Sequence, residues 1–160
     1  MALKYRRSDF DALPDEERIL ATMREAGVDP GYYFFPDAEM SEMSDPDVVA
    51  RFDRGPVGIV TVMPDGTPPI GKRLLQWFVF AIVVSIFVAY LTGRTMAPGA
   101  EYFAVFRVAG TTAFLAYGLG HLMDSIWGGI PWRVTAKNVF DGLIYGLLVA
   151  GSFAGFWPGS

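Results

Sequence analysis

Residues 74–92 form a run of 19 residues without a charged side chain, and this run limits the possible fold more than any other feature. A helix rises about 1.5 Å per residue, so a helical run of this length covers about 28 Å, the hydrocarbon thickness of a bilayer. The sequence therefore predicts a transmembrane helix at 74–92. We expect this helix also to act as the insertion signal, because Asp9, Asp11 and Asp15 stand where a cleaved signal peptide has its apolar stretch.

Two more apolar segments follow along the chain. Residues 102–123 contain Arg107 and His121, and residues 139–157 contain only Asp141. Each of these groups lies near a segment end, where placing it in a membrane costs less than at a helix centre. A chain of 160 residues is too short to cover three such helices in a soluble core. We therefore predict a membrane α-helical fold with three transmembrane helices.

Charge divides the chain into two parts. Residues 1–71 carry 7 basic and 14 acidic side chains, whereas residues 72–160 carry 6 and 3. This pattern predicts an acidic α+β head over 1–71 and a transmembrane domain over 72–160. Nucleic acid is not expected as a partner, because binding it requires clustered Lys and Arg. The absence of cysteine excludes thiolate sites, and a single histidine makes a metal site improbable, so none is predicted.

Two short helices are predicted in the head. Residues 14–26 have an apolar face and acidic residues in the first turn, and Gly27 fits a left-handed C-cap. Residues 46–54 begin with a proline, which suits the first turn of a helix. Ser44, two residues before this segment, and Asp47, its second residue, stand at capping-box spacing.

Two strands complete the predicted head. Residues 57–63 are rich in β-branched side chains and read as a strand. The aromatic run at 32–36 is interpreted as a small core strand, with a contact to the membrane or to a partner as the alternative. About 60 residues give only a marginal core for independent stability.

The orientation follows from basic residues in the short flanks of the predicted helices. Lys72, Arg73, Arg133 and Lys137 lie on the side of the head, the last two in a predicted loop at 124–137, whereas the other side has Arg94 and, just inside, Arg107. The positive-inside rule then places the N-terminus in the cytoplasm and the C-terminus outside.

Small and polar residues recur at alternating spacings of three and four along the second and third apolar segments. This spacing places them on one face of each helix, a seam, and predicts that each seam packs against protein and not against lipid. The second segment has Arg107, Thr111, Phe114, Gly118, His121 and Ser125, and the third has Asn138, Asp141, Tyr145, Leu148, Ser152 and Gly155. We expect His121 or Arg133 to lie near Asp141, because the two helices are antiparallel.

An intramembrane polar cluster follows from these seams: Arg107, His121, Asp124, Asp141 and Tyr145. One interpretation is a proton relay or substrate site. The interpretation we favour is a polar clasp at the inner surface that fixes helix register, whereas Arg107 lies about one and a half turns inside the outer surface, where it can reach phosphates or Glu101.

His121 alone is a candidate axial ligand for haem or a chlorophyll-type pigment, but such sites usually need a second ligand and the chain has no other histidine. No cofactor is therefore predicted.

Helix packing is expected at two glycine pairs of the third segment, Gly142 with Gly146 and Gly151 with Gly155. The second segment offers a further smooth face of small residues: Ala109, Ala113, Ala116 and Gly120. These faces exceed what a three-helix chain needs for itself, which favours packing against another subunit or a copy of the same chain.

Several short motifs lie within residues 72–158: Phe106-Arg107 with Gly110-Thr111, Ser125-Ile126-Trp127, Pro131-Trp132, Phe140-Asp141-Gly142-Leu143-Ile144-Tyr145 and Phe156-Trp157-Pro158. In these motifs the segment resembles a family of small uncharacterised bacterial integral membrane proteins with three predicted transmembrane helices. The resemblance implies the membrane architecture and the bacterial inner membrane, and it implies no catalytic residue.

The residues contain no set that would supply an acid, a base and a nucleophile together, so an enzyme is not predicted. The leading hypothesis is a non-catalytic accessory or structural subunit of a larger membrane complex, surrounded by membrane lipids. The alternative is a small homo-oligomeric transporter or channel with a polar pathway through Arg107, Asp141 and Tyr145.

Overall fold

A computed structural model describes residues 4–159. The chain divides into two compact units, one up to Gly66 and the other from Thr67, whereas the predicted boundary lies after residue 71. Within the described residues the fold is mostly helical. Three helices are long and apolar enough to cross a membrane, and a two-stranded sheet accompanies them in the first unit.

Helix α1 spans Glu16–Glu25 and confirms the helix predicted at 14–26. Gly27 adopts a left-handed conformation with φ of 66°, as expected for the cap. The Val28 N–H donates to the Met23 carbonyl at 3.1 Å, and the Gly27 N–H donates to the Arg24 carbonyl at 3.1 Å. These two bonds satisfy the last carbonyls of the helix in a Schellman motif.

Helix α2 spans Pro46–Arg54, within the predicted range, but the predicted capping box at Ser44 is wrong. Asp45 is the N-cap, and its side-chain oxygen accepts the Asp47 N–H at 2.8 Å. Pro46 has no N–H to donate, so the first donor available to a cap is that of Asp47. A carboxylate directly before the proline reaches this donor.

Strands β1 (Gly31–Phe35) and β2 (Gly58–Val62) confirm the two predicted strands and pair antiparallel. Phe34 packs on Phe52 of α2 with ring centroids 6.2 Å apart. The expectation of a core strand is wrong, however, because Tyr32 remains 70 % exposed and Phe34 50 % exposed. Two strands and two short helices cover too little surface to enclose an aromatic core, and no described side chain of this unit is fully buried.

Helix α3 spans Ile70–Thr95, so it is longer at both ends than the predicted 74–92. Pro69 caps its start, and the Arg73 N–H donates to the Pro69 carbonyl at 3.1 Å. The prediction stopped at the charged residues Lys72 and Arg73, but both are good helix formers and continue the helix beyond the apolar run.

Helix α4 spans Tyr102–Tyr117, so the second predicted helix at 102–123 is interrupted, although the whole path Tyr102–Ile126 is long and apolar enough to cross a membrane. The backbone tightens to a 3₁₀ turn at Leu119–His121 before α5 (Leu122–Ile126) resumes the path. Gly118 precedes this turn and Gly120 lies within it, and glycine costs about 1 kcal/mol relative to alanine inside a helix. The interruption therefore lies where helix propensity is weakest.

Helix α6 spans Trp132–Gly155, seven residues earlier at its start than the predicted 139–157 and two residues shorter at its end. Pro131 is the N-cap, with φ of −56°. The predicted loop at 124–137 is correspondingly wrong, because only residues 127–131 connect α5 with α6. The fixed φ of proline favours starting a helix immediately after it, even though Arg133 and Lys137 are charged.

Helix α4 packs against both α3 and α6, and small residues make the contacts. On α4 the buried side chains are Val105, Ala109 and Ala113. On α6 the buried residues recur mainly every fourth position: Thr135, Gly142, Gly146, Ala150 and Ala154. Together with Val84 and Val88 of α3, the two alanines Ala109 and Ala113 form the apolar core of the bundle.

The two predicted polar seams are buried only in part, because Gly118 is buried and Phe114 and Asp141 are partly buried whereas other members are exposed. Arg107 and Thr111 of α4 are exposed, as are Tyr145, Leu148 and Ser152 of α6. Small residues allow two backbones to approach most closely and so gain the most van der Waals contact. The stripe of glycine and alanine consequently determines the packing, and the polar stripe lies beside it.

The C-terminal segment after α6 is tied to the connection between α3 and α4. The Trp157 indole N–H donates to the Ala97 carbonyl at 2.9 Å, and the Gly99 N–H donates to the Pro158 carbonyl at 2.7 Å. The C-terminal ends of α3 and α6 therefore lie at the same end of the bundle as the N-terminal end of α4.

Candidate functional site

The closest approach in the bundle joins Gly142 of α6 to Gly118 at the end of α4. A methyl carbon added to Gly142 would lie 2.6 Å from the Gly118 nitrogen and 2.6 Å from the Tyr117 carbonyl oxygen. Side-chain carbons do not approach backbone atoms so closely, so glycine is required at this position. A second approach follows one turn later, where a methyl carbon on Gly146 would lie 3.2 Å from both Cβ and N of Phe114.

The other predicted glycine pair has different surroundings. The nearest neighbour of a methyl carbon on Gly151 would be the Tyr102 hydroxyl oxygen at 3.9 Å, and no atom lies within 4 Å of such a carbon on Gly155. Nine residues of helix separate Gly151 from Gly142, which is a half-turn of rotation, and the one neighbour of Gly151 within 4 Å belongs to Tyr102 at the start of α4. This pair leaves one face of α6 open, together with Leu148 and Ser152, which are exposed.

A groove of about 230 Å³ runs between α4 and α6 and is lined by two of the predicted polar residues, Arg107 and Thr111. Its α4 wall consists of five residues: Phe106, Arg107, Gly110, Thr111 and Phe114. Its α6 wall consists of Leu143, Gly146 and Leu147. The lining contains one cation and one hydroxyl, and the rest is apolar. No residue of α3 lines this groove, so it lies on a flank of the α4–α6 pair that α3 leaves open.

Arg107 lies in this groove with most of its guanidinium unpaired. Its Nε donates to the Phe103 carbonyl at 3.0 Å, which holds the side chain back toward the start of α4. The two terminal nitrogens make no hydrogen bond or ion pair with any residue in the described range 4–159. A cation with free donors on an apolar surface is well placed to bind an anion from outside the chain.

An aromatic cluster occupies the opposite flank, where α3 packs on the α4–α6 pair. The Tyr145 ring lies 6.2 Å from the Trp77 ring and 5.6 Å from the Tyr117 ring, measured between centroids. Phe80 meets Tyr117 edge to face at 5.5 Å. Sequence analysis missed this cluster, because it placed Tyr145 among the polar residues of a pathway. The only signal in the sequence was that each of the three helices carries at least one aromatic residue at about the same depth.

At the far end of α4 from Arg107, the His121 Nδ1 lies 2.9 Å from the Asp124 Oδ2. Nearby, the Ser125 and Thr135 hydroxyls are 2.5 Å apart and link α5 to α6. The predicted proximity of His121 or Arg133 to Asp141 stays a prediction. Asp141 directly precedes Gly142 and is partly buried.

The predicted polar cluster thus divides into separate places. His121 pairs with Asp124 at one end, Arg107 lies in the groove, and Tyr145 packs among aromatic rings on the other flank. Among the described residues, no group of three or more His, Asp or Glu side chains is arranged to hold a metal ion.

These features define a class of structure, a small three-helix bundle of membrane-spanning length whose closest contact is glycine on glycine. Comparison with protein-family models, with curated proteins and with solved structures finds no match for the chain. The resemblance to a family of small bacterial membrane proteins stays a prediction.

Proposed function

We propose that the chain is an integral membrane protein of the bacterial inner membrane, that its three apolar helices span the bilayer, and that it serves as a non-catalytic accessory subunit packing against other membrane proteins. The positive-inside rule supports a cytoplasmic head and a C-terminus outside, since Lys72, Arg73, Arg133 and Lys137 lie at one end of the helices.

The exposed surface of α3 supports the membrane placement. Its most apolar stretch is only 11 % buried, and large side chains such as Phe78, Ile86 and Phe87 are about 60 % exposed. Water-exposed helices normally carry polar residues on one face, whereas a helix that is apolar all round needs an apolar environment. Acyl chains supply such an environment along the uncharged run at 74–92 of α3.

The open glycine face of α6 is the single observation that carries the subunit proposal. Helix α4 packs directly on Gly142 and Gly146, which demonstrates how closely a helix approaches α6 at a glycine pair. Gly151 and Gly155 form a second pair, where among the described residues only the Tyr102 hydroxyl comes within 4 Å of a methyl carbon on Gly151, and no atom comes that close on Gly155. Small residues four apart favour helix association in membranes, so this face suits a helix from a different protein.

Photo-crosslinking in native membranes tests the proposal. A benzophenone amino acid is placed at Leu148, which borders the open glycine face and is 63 % exposed. The matched control is Phe87 of α3, which is 62 % exposed and about equally far from the same end of the bundle. We expect position 148, and not position 87, to trap a different polypeptide, and Gly151→Leu to abolish that adduct.

The competing function, a homo-oligomeric transporter or channel, receives less support. Its pathway would need Arg107, Asp141 and Tyr145 to face one another, but Arg107 lines the groove on one flank and Tyr145 contacts Trp77 on the other. Adducts at 148 containing only copies of the chain would favour the transporter, and the absence of any protein adduct would refute both. Release of the chain into the supernatant by an alkaline wash would refute the membrane placement itself.

A further inference from the structure

We infer that the groove between α4 and α6 is a binding site for one anionic phospholipid, with the phosphate on Arg107 and one acyl chain along the groove. This inference rests on the proposed membrane placement but not on the proposed partner protein.

The charge of the groove favours an anion. Arg107 is its only ionisable residue, and the terminal guanidinium nitrogens have no partner within residues 4–159. An arginine fork matches phosphate oxygens in a bidentate geometry, and the interaction strengthens where water is scarce. Thr111, one turn further along α4, is exposed and supplies a hydroxyl for an ester or phosphate oxygen.

The depth of Arg107 fits a headgroup. Arg107 is five residues from the start of α4 at Tyr102, a distance of about 8 Å along the helix axis. The Nε bond to Phe103 directs the side chain toward that same helix end. An arginine about one and a half turns inside a helix end reaches the phosphate level by extending its side chain toward the surface.

The shape of the groove selects an acyl chain over other occupants. From Arg107 to Phe114 it continues for about 10 Å toward the bundle centre, between apolar side chains of both helices. Its volume of about 230 Å³ is smaller than typical pockets for whole small ligands, which have about 300–1,000 Å³. A helix, with a diameter of about 10 Å, is too wide to enter it.

The floor of the groove is narrow because of two glycines. A methyl carbon on Gly110 would lie 2.9 Å from the Ala150 Cβ, and one on Gly146 would lie 3.2 Å from the Phe114 Cβ. The two helices therefore meet closely at the floor and diverge at the rim, where Leu143 and Leu147 form one wall. A slender, flexible hydrocarbon chain fits this shape.

Lipid titration of the full-length protein in mild detergent, read by native mass spectrometry, tests the inference. The probes are dioleoyl phosphatidylglycerol, the zwitterionic dioleoyl phosphatidylcholine, and inorganic phosphate as competitor. We expect one phosphatidylglycerol to bind at least tenfold more tightly than phosphatidylcholine, with no displacement by phosphate. Equal binding of the two lipids would overturn the inference, and displacement by phosphate would reveal a free-anion site in place of a lipid site.

Variants locate the site. Arg107→Gln should weaken phosphatidylglycerol binding at least tenfold, the loss expected for hydrogen bonds between charged groups. Arg94→Gln is the matched control, because Arg94 lies on α3 at the same end of the bundle and stacks on Tyr90 at 5.9 Å. Leu147→Trp should also weaken binding with the charge intact, since the indole fills the groove. If Arg107→Gln and Arg94→Gln bind the lipid equally well, or Leu147→Trp has no effect, the site is wrong.

The outcome is separable from that of the partner proposal. Lipid titration in micelles involves only this chain, so a failure to trap a partner at Leu148 leaves its result unchanged. Conversely, loss of the lipid site leaves the open glycine face of α6 intact, because Gly151 and Gly155 lie outside the groove.

Discussion

Gly142→Ala should destabilise the bundle more than any other glycine-to-alanine change in α6. The added methyl carbon would lie within 3 Å of the Gly118 nitrogen and the Tyr117 carbonyl oxygen, both of which are backbone atoms. Relief requires α4 and α6 to move apart along their tightest contact. Overpacking typically costs about 1–3 kcal/mol, and an obstacle made of backbone places this case near about 3 kcal/mol.

Two further substitutions on the same helix calibrate that value. Gly146→Ala meets Phe114 at 3.2 Å and the Gly110 carbonyl oxygen at 3.3 Å, so a shift of a few tenths of an ångström accommodates it. We expect a cost of about 1 kcal/mol there. Gly151→Ala meets no atom closer than 3.9 Å and should change stability by less than about 0.5 kcal/mol. All three changes remove the same backbone freedom from the unfolded chain, so their differences report packing.

Reversible unfolding in mixed micelles, followed by helical circular dichroism as the fraction of denaturing detergent rises, measures these differences. A cost of about 3 kcal/mol shifts the folding equilibrium by about a hundredfold. The reasoning fails if Gly142→Ala lies within about 0.5 kcal/mol of Gly151→Ala, because the glycine contact would then not hold α4 against α6.

Two smaller predictions concern hydrogen bonds. Ser125→Ala and Thr135→Ala should each lower the unfolding free energy by about 1 kcal/mol, because each removes the same hydroxyl contact between α5 and α6. The double variant should therefore lose little more than either single variant. Strictly additive losses in the same unfolding assay would argue against the contact. Asp45→Ala should cost α2 about 1 kcal/mol as the lost N-cap, whereas Ser44→Ala should be neutral. Amide hydrogen exchange of the full chain over Pro46–Arg54 checks this, and an equal effect of both changes would contradict the assigned cap.

The cores of the three apolar helices could be predicted from the sequence, but their ends could not. Residues 74–92 lie wholly inside α3, because an uncharged apolar run has no better conformation than a helix. The start of α6 was predicted seven residues too late because Arg133 and Lys137 were interpreted as loop residues. Charge limits how deep a residue lies in a membrane, whereas Pro131 determines where the helix begins.

The rotation of each helix about its own axis was harder to predict from the sequence. The spacing of Arg107 and Thr111 is equally consistent with a buried seam and with a groove wall, since both need one face of α4. The rotation is decided by Gly142, which permits contact between the backbones of α4 and α6. Its partner Gly118, at the end of α4, lies 24 residues earlier in the chain. The groove could not be predicted either, because its walls come from α4 and α6 and exist only once their relative rotation is known.

The contact of Gly118 with Gly142 also determines which parts of the bundle are able to move. Backbone touching backbone leaves no side-chain rotamers to adjust, so α4 and α6 behave as one stiff body. Helix α3 meets α4 through the side chains of Val84 and Val88, whose packing tolerates small slides. We therefore expect α3 to slide against α4 and α6 more readily than α4 and α6 slide against each other.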